Sequence, residues 1–403
     1  MNVILLNVNA ISGSTGKIVT NIKSELESIG HECLICYGAN ETYKGHGYKR
    51  ICPEYERKIN AIISRISGVL HGGFTPFSFY RFKSAIEQFK PDIVHIHCAN
   101  GCIIDLFRTL EYLAKSNIKT VLTNHAEFFY TGGCGHAFDC EKWISGCNNC
   151  HVLKSRIGLD VSKTEWNKFK KAFDFFDKDK IIITSVSPWV LNRVIQSPFL
   201  SRFRNKVVLN GIDTNVFRVR EVPKSVKTKL PLNKPIALHV TASFTTEQNS
   251  IKGGFWIREL AYRLPNVIFV VACSYKGLTE NLPANLYIWG RTQTQDELAE
   301  LYNAADVTVL TSKRETFSMI VAESLCCGTP VVGFKAGGPE SIAIPKDSKF
   351  VNYGEIDLLA RELYKMLFAR IDRKRISKIA NEKYSKASMV QHYLEIYDKL
   401  CLG

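Results

Sequence analysis

The sequence lacks the features that would place it in a specialised structural class. It has no low-complexity tract and no internal repeat of the roughly 20 to 50 residues typical of solenoids. No apolar run reaches the ~18 residues that a membrane-spanning helix needs. The first stretch, MNVILLNVNAISG, has neither the basic segment nor the small-residue cleavage site of a signal peptide. We therefore expect a cytosolic globular protein whose thiols stay reduced.

Acidic residues are scarce relative to basic ones. The chain has 38 Asp and Glu against 53 Lys and Arg, which gives a formal net charge of +15. Nucleic acid, an anionic membrane surface and a phosphate-bearing substrate are all suitable partners for such a charge. The charge alone does not choose among these three classes.

The length and the apolar pattern predict two α/β domains. A chain of 403 residues exceeds the size of one ordinary hydrophobic core. Runs of strand length alternate with stretches of helical periodicity, the pattern of doubly wound parallel sheets. Ligands of such sheets bind at the carboxyl ends of the strands, so we expect a site in a cleft between the two domains. The predicted strands span 2–8, 32–37, 91–98, 119–125 and 180–187 in the first half, and 235–242, 267–273, 285–290, 307–312 and 330–334 in the second.

The segment 56–89 has two interpretations. Isoleucines recur at helical spacing from Ile59 through Ile66, the pattern continues to Leu70, and several aromatic residues follow. An amphipathic helix of this kind packs on its own domain in most proteins. The alternative is a surface that rests on an anionic membrane.

The stretch SGSTGK (12–17) is not a Walker phosphate loop, because Ile11 and Ile18 occupy positions where that motif needs glycine and Ser or Thr. Gly13 and Gly16 still lie between the first predicted strand and the first helix. They form either a tight βα turn or a place where backbone approaches a diphosphate near a helix N-terminus.

A second candidate site lies in SKRETFSMIVAESLCCGTPVVGF (312–334). Glu315 follows a predicted strand, and Glu323 lies in a predicted helix from about Phe317 to Cys327. The start of that helix offers backbone N–H groups to phosphate, and ionised carboxylates accept hydrogen bonds from sugar hydroxyls. The alternative is a pair of solvated surface charges, although the apolar neighbours of Glu323 favour a buried carboxylate.

A third candidate is the cysteine loop, HAEFFYTGGCGHAFDCEKWISGCNNC (125–150). Only its last cysteine pair has the tight spacing of a structural zinc knuckle. A structural zinc, packed reduced thiols and disulfides all stay open as interpretations. Gly132 and Gly133 would let the backbone approach a sugar, so the loop is predicted to form an active-site rim. The four cysteines are Cys134, Cys140, Cys147 and Cys150.

ETFSMIVAESLCCGTPVV resembles the E-x7-E motif of retaining GT-B glycosyltransferases of family 4. Further pieces of that family follow in its order along nearly the whole chain: PDIVHIH, SVSPWV, NGIDTNVF, KGG, AGGPESI and YSKASMVQHYLEIYDKL. The cysteine loop is similar to a bacterial branch involved in surface-polysaccharide synthesis. In that branch an aspartate follows the histidine, whereas Ala126 follows His125 here, and Glu127 is a candidate replacement.

The resemblance implies a fold and a set of roles. The fold is GT-B, with an acceptor-side Rossmann-like domain (1–200), a nucleotide-sugar-binding one (201–380) and a closing helix (381–403) that packs on the first. Catalytic roles fall on His125, Glu315 and Lys252, with Lys252 neutralising the diphosphate. Family members often have an arginine shortly before this lysine; here Arg291 and Lys313 are the candidates by position. The predicted donor site comprises Gly13, Gly16, Lys252, Glu315, Phe317, Ser318, Met319, Ile320 and Glu323.

The implied function is retaining transfer of a hexose, with no cofactor required for catalysis. The donor would be a UDP- or GDP-linked sugar, and the acceptor a lipid-linked saccharide at the inner face of a bacterial plasma membrane. Same-face attack is the favoured route to retention, since no carboxylate is clearly placed as a nucleophile. One alternative is a nucleotide-sugar epimerase of the same fold. The other is a nucleic-acid- or metal-binding protein without catalysis, for which the sequence offers no basic stripe interleaved with aromatic residues.

Overall fold

The computed structural model describes residues 1–39, 43, 45–67, 75–150, 160–230, 233–276 and 281–402. The chain forms two units. Unit 1 comprises Met1–Leu209 and Met389–Gly403, and unit 2 comprises Asn210–Ser388. The chain therefore changes unit somewhat later than the predicted boundaries after 200 and 380, because an additional strand at 204–207 completes the first sheet.

Unit 1 is built on a parallel sheet. The described strands follow the order β3-β2-β1-β4-β5-β6-β7, and each neighbouring pair is parallel. Central strands are buried on both faces, which explains their continuous apolar runs. The strands are β1 (Asn2–Asn7), β2 (Glu32–Tyr37), β3 (Tyr48–Arg50), β4 (Ile93–Ile96), β5 (Thr120–Asn124), β6 (Ile181–Ser185) and β7 (Arg204–Val207).

Helices connect these strands and cover the sheet. Helix α1 buries Ile18, Val19, Ile22 and Leu26, whereas Ile29, which continues the helical spacing, lies at the C-cap and is exposed. Asp105 and Ser187 cap α4 and α7 by accepting hydrogen bonds from backbone N–H groups in the first turn. The helices are α1 (Gly13–Ser28), α2 (Glu54–Ser67), α3 (Pro76–Phe89), α4 (Leu106–Lys115), α5 (Lys142–Ser145), α6 (Ser162–Asp174) and α7 (Pro188–Val194).

Unit 2 repeats the architecture around a second parallel sheet. Its described strands follow the order β10-β9-β8-β11-β12-β13. They are β8 (Ile236–Phe244), β9 (Ile268–Lys276), β10 (Leu286–Gly290), β11 (Val307–Leu310), β12 (Val331–Phe334) and β13 (Ser348–Val351). The helices are α8 (Lys224–Lys227), α9 (Gly254–Arg263), α10 (Gln295–Ala304), α11 (Met319–Cys326), α12 (Gly338–Ile342), α13 (Ile356–Leu367) and α14 (Arg373–Tyr384). The last helix, α15 (Lys386–Leu402), carries the chain back into unit 1.

The two Rossmann-like sheets confirm the predicted α/β class. Sequence reasoning missed β3, β7 and β13, which are short strands with polar or charged residues at the sheet edges. Among the described residues, no helix combines the length and the hydropathy needed to cross a membrane.

In each sheet the strand order reverses beside the first strand of that sheet: between β1 and β4 in unit 1, and between β8 and β11 in unit 2. Loops at the carboxyl ends of such switch strands are where ligands of this architecture bind.

The orientation of helix α2 contradicts one of the two interpretations of segment 56–89. Ile59, Ile62 and Ile66 are each half or more exposed, whereas Glu56, Asn60 and Ser64 are buried. These isoleucines therefore face outward, and the expectation that the segment packs on its own domain is wrong for α2. It is confirmed for α3, which buries Phe79 and Phe82. Val69, Leu70 and Phe74, which extend the pattern in the sequence, lie outside the described residues.

Polar bonds explain why the polar side of α2 is the inner one. The Glu56 carboxylate accepts hydrogen bonds from the Ser78 backbone N–H (3.1 Å), the Ser78 hydroxyl (2.7 Å) and the Arg81 guanidinium (2.7 Å). Asn60 donates to the carbonyl of Cys102 (3.4 Å). A buried carboxylate is stable when it is paired and hydrogen-bonded in this way.

Candidate functional site

Three loops meet at the carboxyl ends of β8, β11 and β12 in unit 2. The Lys313 N–H donates to the carbonyl of Ile251 (2.8 Å), and the Thr311 hydroxyl donates to that of Gly253 (2.9 Å). These bonds join the loop after β11 to the loop after β8. Both loops belong to the switch strands of this sheet, so two of the predicted donor residues, Lys252 and Glu315, lie in loops of the kind that bind ligands in this architecture.

The third loop is held through Glu315. Its N–H donates to the carbonyl of Ala336 (3.0 Å), and its own carbonyl accepts from the N–H of Gly338 (2.8 Å). Glu315 and Gly337 form an isolated parallel bridge. The backbone of Glu315 is thus fixed on both sides, which leaves its side chain as the adjustable part of the residue.

The side chains of Lys252 and Glu315 form an ion pair in unit 2. The ammonium Nζ lies 2.8 Å from the carboxylate Oε1, and both side chains are partly exposed. The residues are 63 positions apart in sequence, so the tertiary structure alone brings them together. An ammonium and a carboxylate therefore lie side by side, and their roles toward phosphate and sugar hydroxyls stay predictions.

Helix α11 begins with a residue in an unusual backbone conformation. Ser318 has φ 80 and ψ 92, a region that L-residues rarely adopt. Its hydroxyl is buried and finds no hydrogen-bond partner in the part of the chain that the structure describes. The helix begins at Met319 rather than near the predicted Phe317, and Phe317 is buried. The N–H groups of Met319 and Ile320 fall in the first turn, whose donors lack partners within the helix.

Glu323 lies inside α11 and is buried. Its Oε2 accepts a hydrogen bond from the Tyr302 hydroxyl at 3.1 Å. Burial, and then the neighbouring Glu323, raises the pKa of Tyr302 well above its ordinary value, so the phenol keeps the proton it donates. The alternative that Glu323 is a solvated surface charge is wrong.

In unit 1, Gly13 and Gly16 begin helix α1 at the carboxyl end of β1. Gly13 has φ 69, in the left-handed region that favours glycine. A Cβ at Gly16 would lie 2.7 Å from the carbonyl carbon of Ile11, so this glycine makes room for the protein's own backbone. This packing accounts for the tight βα turn, and diphosphate contact at these glycines stays a prediction.

His125 follows β5 and is buried beside His97, which follows β4. Nε2 of His125 lies 2.9 Å from Nδ1 of His97, and the two rings stack at 5.2 Å. Burial lowers the pKa of His125 to about 3, and burial with the neighbouring histidines lowers that of His97 well below its ordinary value. Both rings are therefore neutral at physiological pH.

His95 belongs to a separate hydrogen-bonded chain within unit 1. Its Nδ1 lies 2.6 Å from the hydroxyl of Tyr397 on α15, and its Nε2 lies 2.7 Å from the Thr123 hydroxyl. The Thr123 hydroxyl also contacts those of Thr184 (2.6 Å) and Tyr393 (3.1 Å). His95 is thus a satisfied structural histidine that helps to fix α15 in unit 1.

Glu127, the candidate replacement for the missing aspartate, pairs with an arginine. Its carboxylate is fully buried and accepts hydrogen bonds from Arg193 Nε (2.6 Å), the Tyr130 hydroxyl (3.0 Å) and the Ala137 N–H (2.8 Å). These contacts anchor the cysteine loop to α7. The group that the structure places against His125 Nε2 is His97.

The four loop cysteines line one small pocket, together with His136 and Trp143. Burial raises the pKa of Cys134 to about 12, helped by the three neighbouring thiols, and raises that of Cys147 to about 11. All 13 cysteines are free thiols, so the interpretation that the loop cysteines form disulfides is wrong for this structure. Within the described ranges, no group of three or more His, Cys, Asp or Glu side chains is placed to hold a metal ion. Structural zinc stays a prediction.

The glycine pair of the cysteine loop is buried rather than presented to a ligand. A Cβ at Gly132 would lie 2.5 Å from the carbonyl oxygen of Ser162 and 3.0 Å from the Cβ of Cys147. The Gly132 N–H donates to the Cys147 sulfur at 3.1 Å. Gly132 therefore lets the loop pack on itself, and the approach of the Gly132-Gly133 backbone to a sugar stays a prediction.

Family models match both units. The model for Glycosyltransferase Family 4 matches residues 15–216, half of the chain, and the model for Glycosyl transferases group 1 matches residues 265–383. This chain belongs to glycosyltransferase family 4. The match to the group 1 model contains Glu315, Glu323 and the whole of α11.

Curated relatives of this glycosyltransferase are distant. The putative colanic acid biosynthesis glycosyl transferase WcaC of Escherichia coli K12 is 19% identical over 99% of this chain and 100% of its own length. The sulfoquinovosyl transferase SQD2 of Arabidopsis thaliana is 27% identical over 44% of this chain, and the match spans only 36% of that protein.

Solved structures share the GT-B fold of this glycosyltransferase. Sucrose-phosphate synthase from Thermosynechococcus elongatus superposes with a TM-score of 0.69 at 14% identity, over 99% of this chain and 98% of that one. Anabaena HepE in complex with UDP gives 0.68 at 14% identity, over 99% and 100%. The same protein in complex with UDP-glucose gives 0.65 at 15% identity, over 99% of each chain. These likenesses confirm the GT-B fold class.

Sequence reasoning missed two features of the glycosyltransferase. It singled out His125 but not His97, although the HIH pattern already placed His97 and His95 on one face of a strand. It also missed that Arg193 partners Glu127, since 66 positions separate them. Alternation along a strand could have singled out His97, whereas no local pattern could have found Arg193.

Proposed function

We propose that this glycosyltransferase is a retaining enzyme. It moves a hexose from a UDP- or GDP-linked donor to a lipid-linked saccharide in the synthesis of a bacterial surface polysaccharide. Its membership of family 4 supports glycosyl transfer. Fold neighbours solved with UDP and UDP-glucose support a nucleotide-sugar donor. The full-length similarity to WcaC supports a polysaccharide product.

One observation carries this proposal: the Lys252–Glu315 pair lies in the loops of the switch strands in unit 2, shortly before the N-terminus of α11. The ammonium neutralises the diphosphate of the donor, and the α11 N–H groups with the Ser318 hydroxyl supply hydrogen bonds to it. Before the donor binds, Glu315 holds Lys252; afterwards its carboxylate accepts hydrogen bonds from sugar hydroxyls. Glu323, oriented by Tyr302, binds the ribose.

In the proposed reaction the bond between the anomeric carbon and the phosphate oxygen breaks, and the acceptor oxygen bonds to that carbon from the same face. The acceptor proton passes to the departing diphosphate, so charge and atoms balance. His125 donates a hydrogen bond to the sugar or the diphosphate. Stabilising the negative leaving group is the main electrostatic contribution, and no metal or other cofactor takes part.

The Glu315→Gln variant tests the donor site because it keeps the size of the side chain and removes its charge. We expect kcat/KM for transfer, and for hydrolysis of the UDP- or GDP-linked sugar, to fall about 100-fold. Glu382→Gln, an exposed glutamate of α14, is the matched control and should keep full activity. Unchanged turnover in Glu315→Gln would refute the assignment of this site. Interconversion of donor sugars without an acceptor would instead support the epimerase alternative.

The proposed acceptor requires the enzyme to work at a membrane surface, and α2 supports this. Its exposed stripe of Ile59, Ile62 and Ile66 continues to the exposed Tyr55, and Lys58 and Arg65 are exposed on the same helix. An apolar stripe flanked by basic residues suits insertion at an anionic lipid interface, with the rest of the chain peripheral to the inner face of the membrane.

Sedimentation with vesicles tests this membrane contact. The protein should bind vesicles that contain phosphatidylglycerol more tightly than neutral ones. Replacing Ile59, Ile62 and Ile66 with Asn should lower binding at least tenfold, since each isoleucine loses the burial of its apolar surface. Ile195→Asn is the control, because Ile195 is also half exposed but lies after α7. Equal binding by the triple variant and the wild type would exclude α2 as the membrane surface.

A further inference from the structure

We propose that His97 is a positioning residue that determines which ring nitrogen of His125 carries the proton. This inference rests on the proposed function, in which His125 donates a hydrogen bond to the donor substrate. The hydrogen bond between His97 Nδ1 and His125 Nε2, at 2.9 Å, is the contact that carries it. Each neutral imidazole has one N–H donor and one lone pair, so a hydrogen bond between the two rings couples their tautomers.

The surroundings of His97 decide the direction of that bond. The side chain is fully buried, and its Nε2 has no hydrogen-bond partner among the described residues. If Nδ1 of His97 were the acceptor, the proton would sit on Nε2 and leave a buried N–H without an acceptor. If Nδ1 is the donor, only a lone pair is left unsatisfied, which occurs more often in folded proteins than an orphaned N–H.

The consequence for His125 is a fixed tautomer. His97 Nδ1–H donates to His125 Nε2, so the neutral His125 ring carries its own proton on Nδ1. Both rings are buried, and the tilted ring of His95 packs against His97 with its centroid 3.8 Å away. His125 therefore acts as a neutral donor through Nδ1, and it does so without becoming a cation.

His95 does not share this role, because its own bonds are arranged independently. The Thr184 hydroxyl donates to the carbonyl of Leu122 (3.4 Å) and so accepts from Thr123. The Thr123 hydroxyl then accepts from His95 Nε2–H, and His95 Nδ1 accepts from the Tyr397 hydroxyl. This chain fixes His95 through other partners, so His95 provides a control for the effects of removing a buried histidine from the same strand.

A pair of nearly isosteric variants separates the hydrogen bond from the packing. His97→Asn offers an amide N–H at roughly the position of Nδ1–H, whereas His97→Leu has a similar volume and no donor. In His97→Leu we expect kcat to fall about tenfold or more with little change in the KM of the donor. His97→Asn should retain kcat within about threefold of the wild type. His95→Gln should leave the tautomer of His125 unchanged.

Nitrogen-15 NMR of the histidine-labelled full-length protein reads the tautomer directly and needs no activity. The wild type should show His125 protonated on Nδ1, and His97→Leu should show loss of that fixed state. A wild-type His125 protonated on Nε2 would overturn the proposal, as would an unchanged tautomer and kcat in His97→Leu. An absence of glycosyl transfer in the wild type would defeat the proposed function instead, while the NMR result would still decide the role of His97.

Discussion

At the scale of single residues, the candidate site of unit 2 contains residues held in unusual states. Ser318 combines a left-handed backbone with a buried hydroxyl that no described residue bonds. Lys252 and Glu315 form an ion pair with each other. Strain and unused polar groups of this kind concentrate where a protein binds a ligand, because the ligand supplies the missing contacts.

Two substitutions at Ser318 separate its backbone strain from its hydroxyl. Ser318→Gly relieves the positive φ and should raise the free energy of unfolding by about 1 kcal/mol. Ser318→Ala keeps the positive φ and loses the same buried hydroxyl, so it should be about 1 kcal/mol less stable than Ser318→Gly. Both variants lose the hydroxyl, so both should raise the KM of the donor. Urea denaturation and initial-rate kinetics measure these quantities. Equal free energies of unfolding for the Gly and Ala variants would show that the positive φ at position 318 does not destabilise the protein.

At the scale of elements, the loops after the switch strands determine where the charged side chains meet. Gly253 immediately precedes α9 and has φ 72, and a Cβ there would lie 2.1 Å from the carbonyl oxygen of Thr311. That close approach lets the loop carrying Lys252 reach the loop carrying Glu315. Helix α2 shows the opposite case, in which the local pattern was clear but its orientation depended on Ser78 and Arg81 of another helix.

Replacing glycine by alanine at two positions tests this close approach. Gly253 and Gly290 both have positive φ, but no atom lies within 4 Å of a Cβ built at Gly290. Gly290→Ala should lower the free energy of unfolding by about 1 kcal/mol, from backbone strain alone. Gly253→Ala adds a clash with Thr311 and should lower the free energy of unfolding by about 3 kcal/mol. It should also weaken the affinity for the donor. Thermal and urea unfolding, with donor titration by calorimetry, would show the difference. Equal effects at the two positions would argue against the tight contact.

At the scale of the whole molecule, four buried histidines make stability depend on pH. Burial lowers the pKa of His125 to about 3 and that of His239 to about 4, and it lowers those of His95 and His97 well below the ordinary value. The unfolded chain binds protons on these residues below pH ~6.5, but the folded chain does not. Their contribution is therefore fully present above pH 6.5 and is lost as the pH falls toward 4 and 3.

The expected loss is up to about 1.4 kcal/mol per histidine for each pH unit below 6.5. Three of the four residues lie in unit 1 and only His239 lies in unit 2. Urea unfolding at pH 7 and pH 5 should therefore show a larger fall for unit 1 than for unit 2. The His239→Gln variant should reduce the pH dependence of unit 2 alone. A transition of unit 1 that does not move between pH 7 and pH 5 would contradict this account.

The sequence by itself determined the α/β class, most of the buried strands and the identity of the acidic residues in the loop and helix near β11. These follow from local signals: continuous apolar runs, glycines at turns and a carboxylate spacing that resembles family 4. The tertiary structure alone decided that Lys252 meets Glu315, that His97 rather than Glu127 contacts His125 Nε2, and that the isoleucines of α2 face outward. Such pairings join side chains far apart in the chain. No local pattern encodes them, because they depend on which loops the sheet order brings together and on which buried polar groups find partners there.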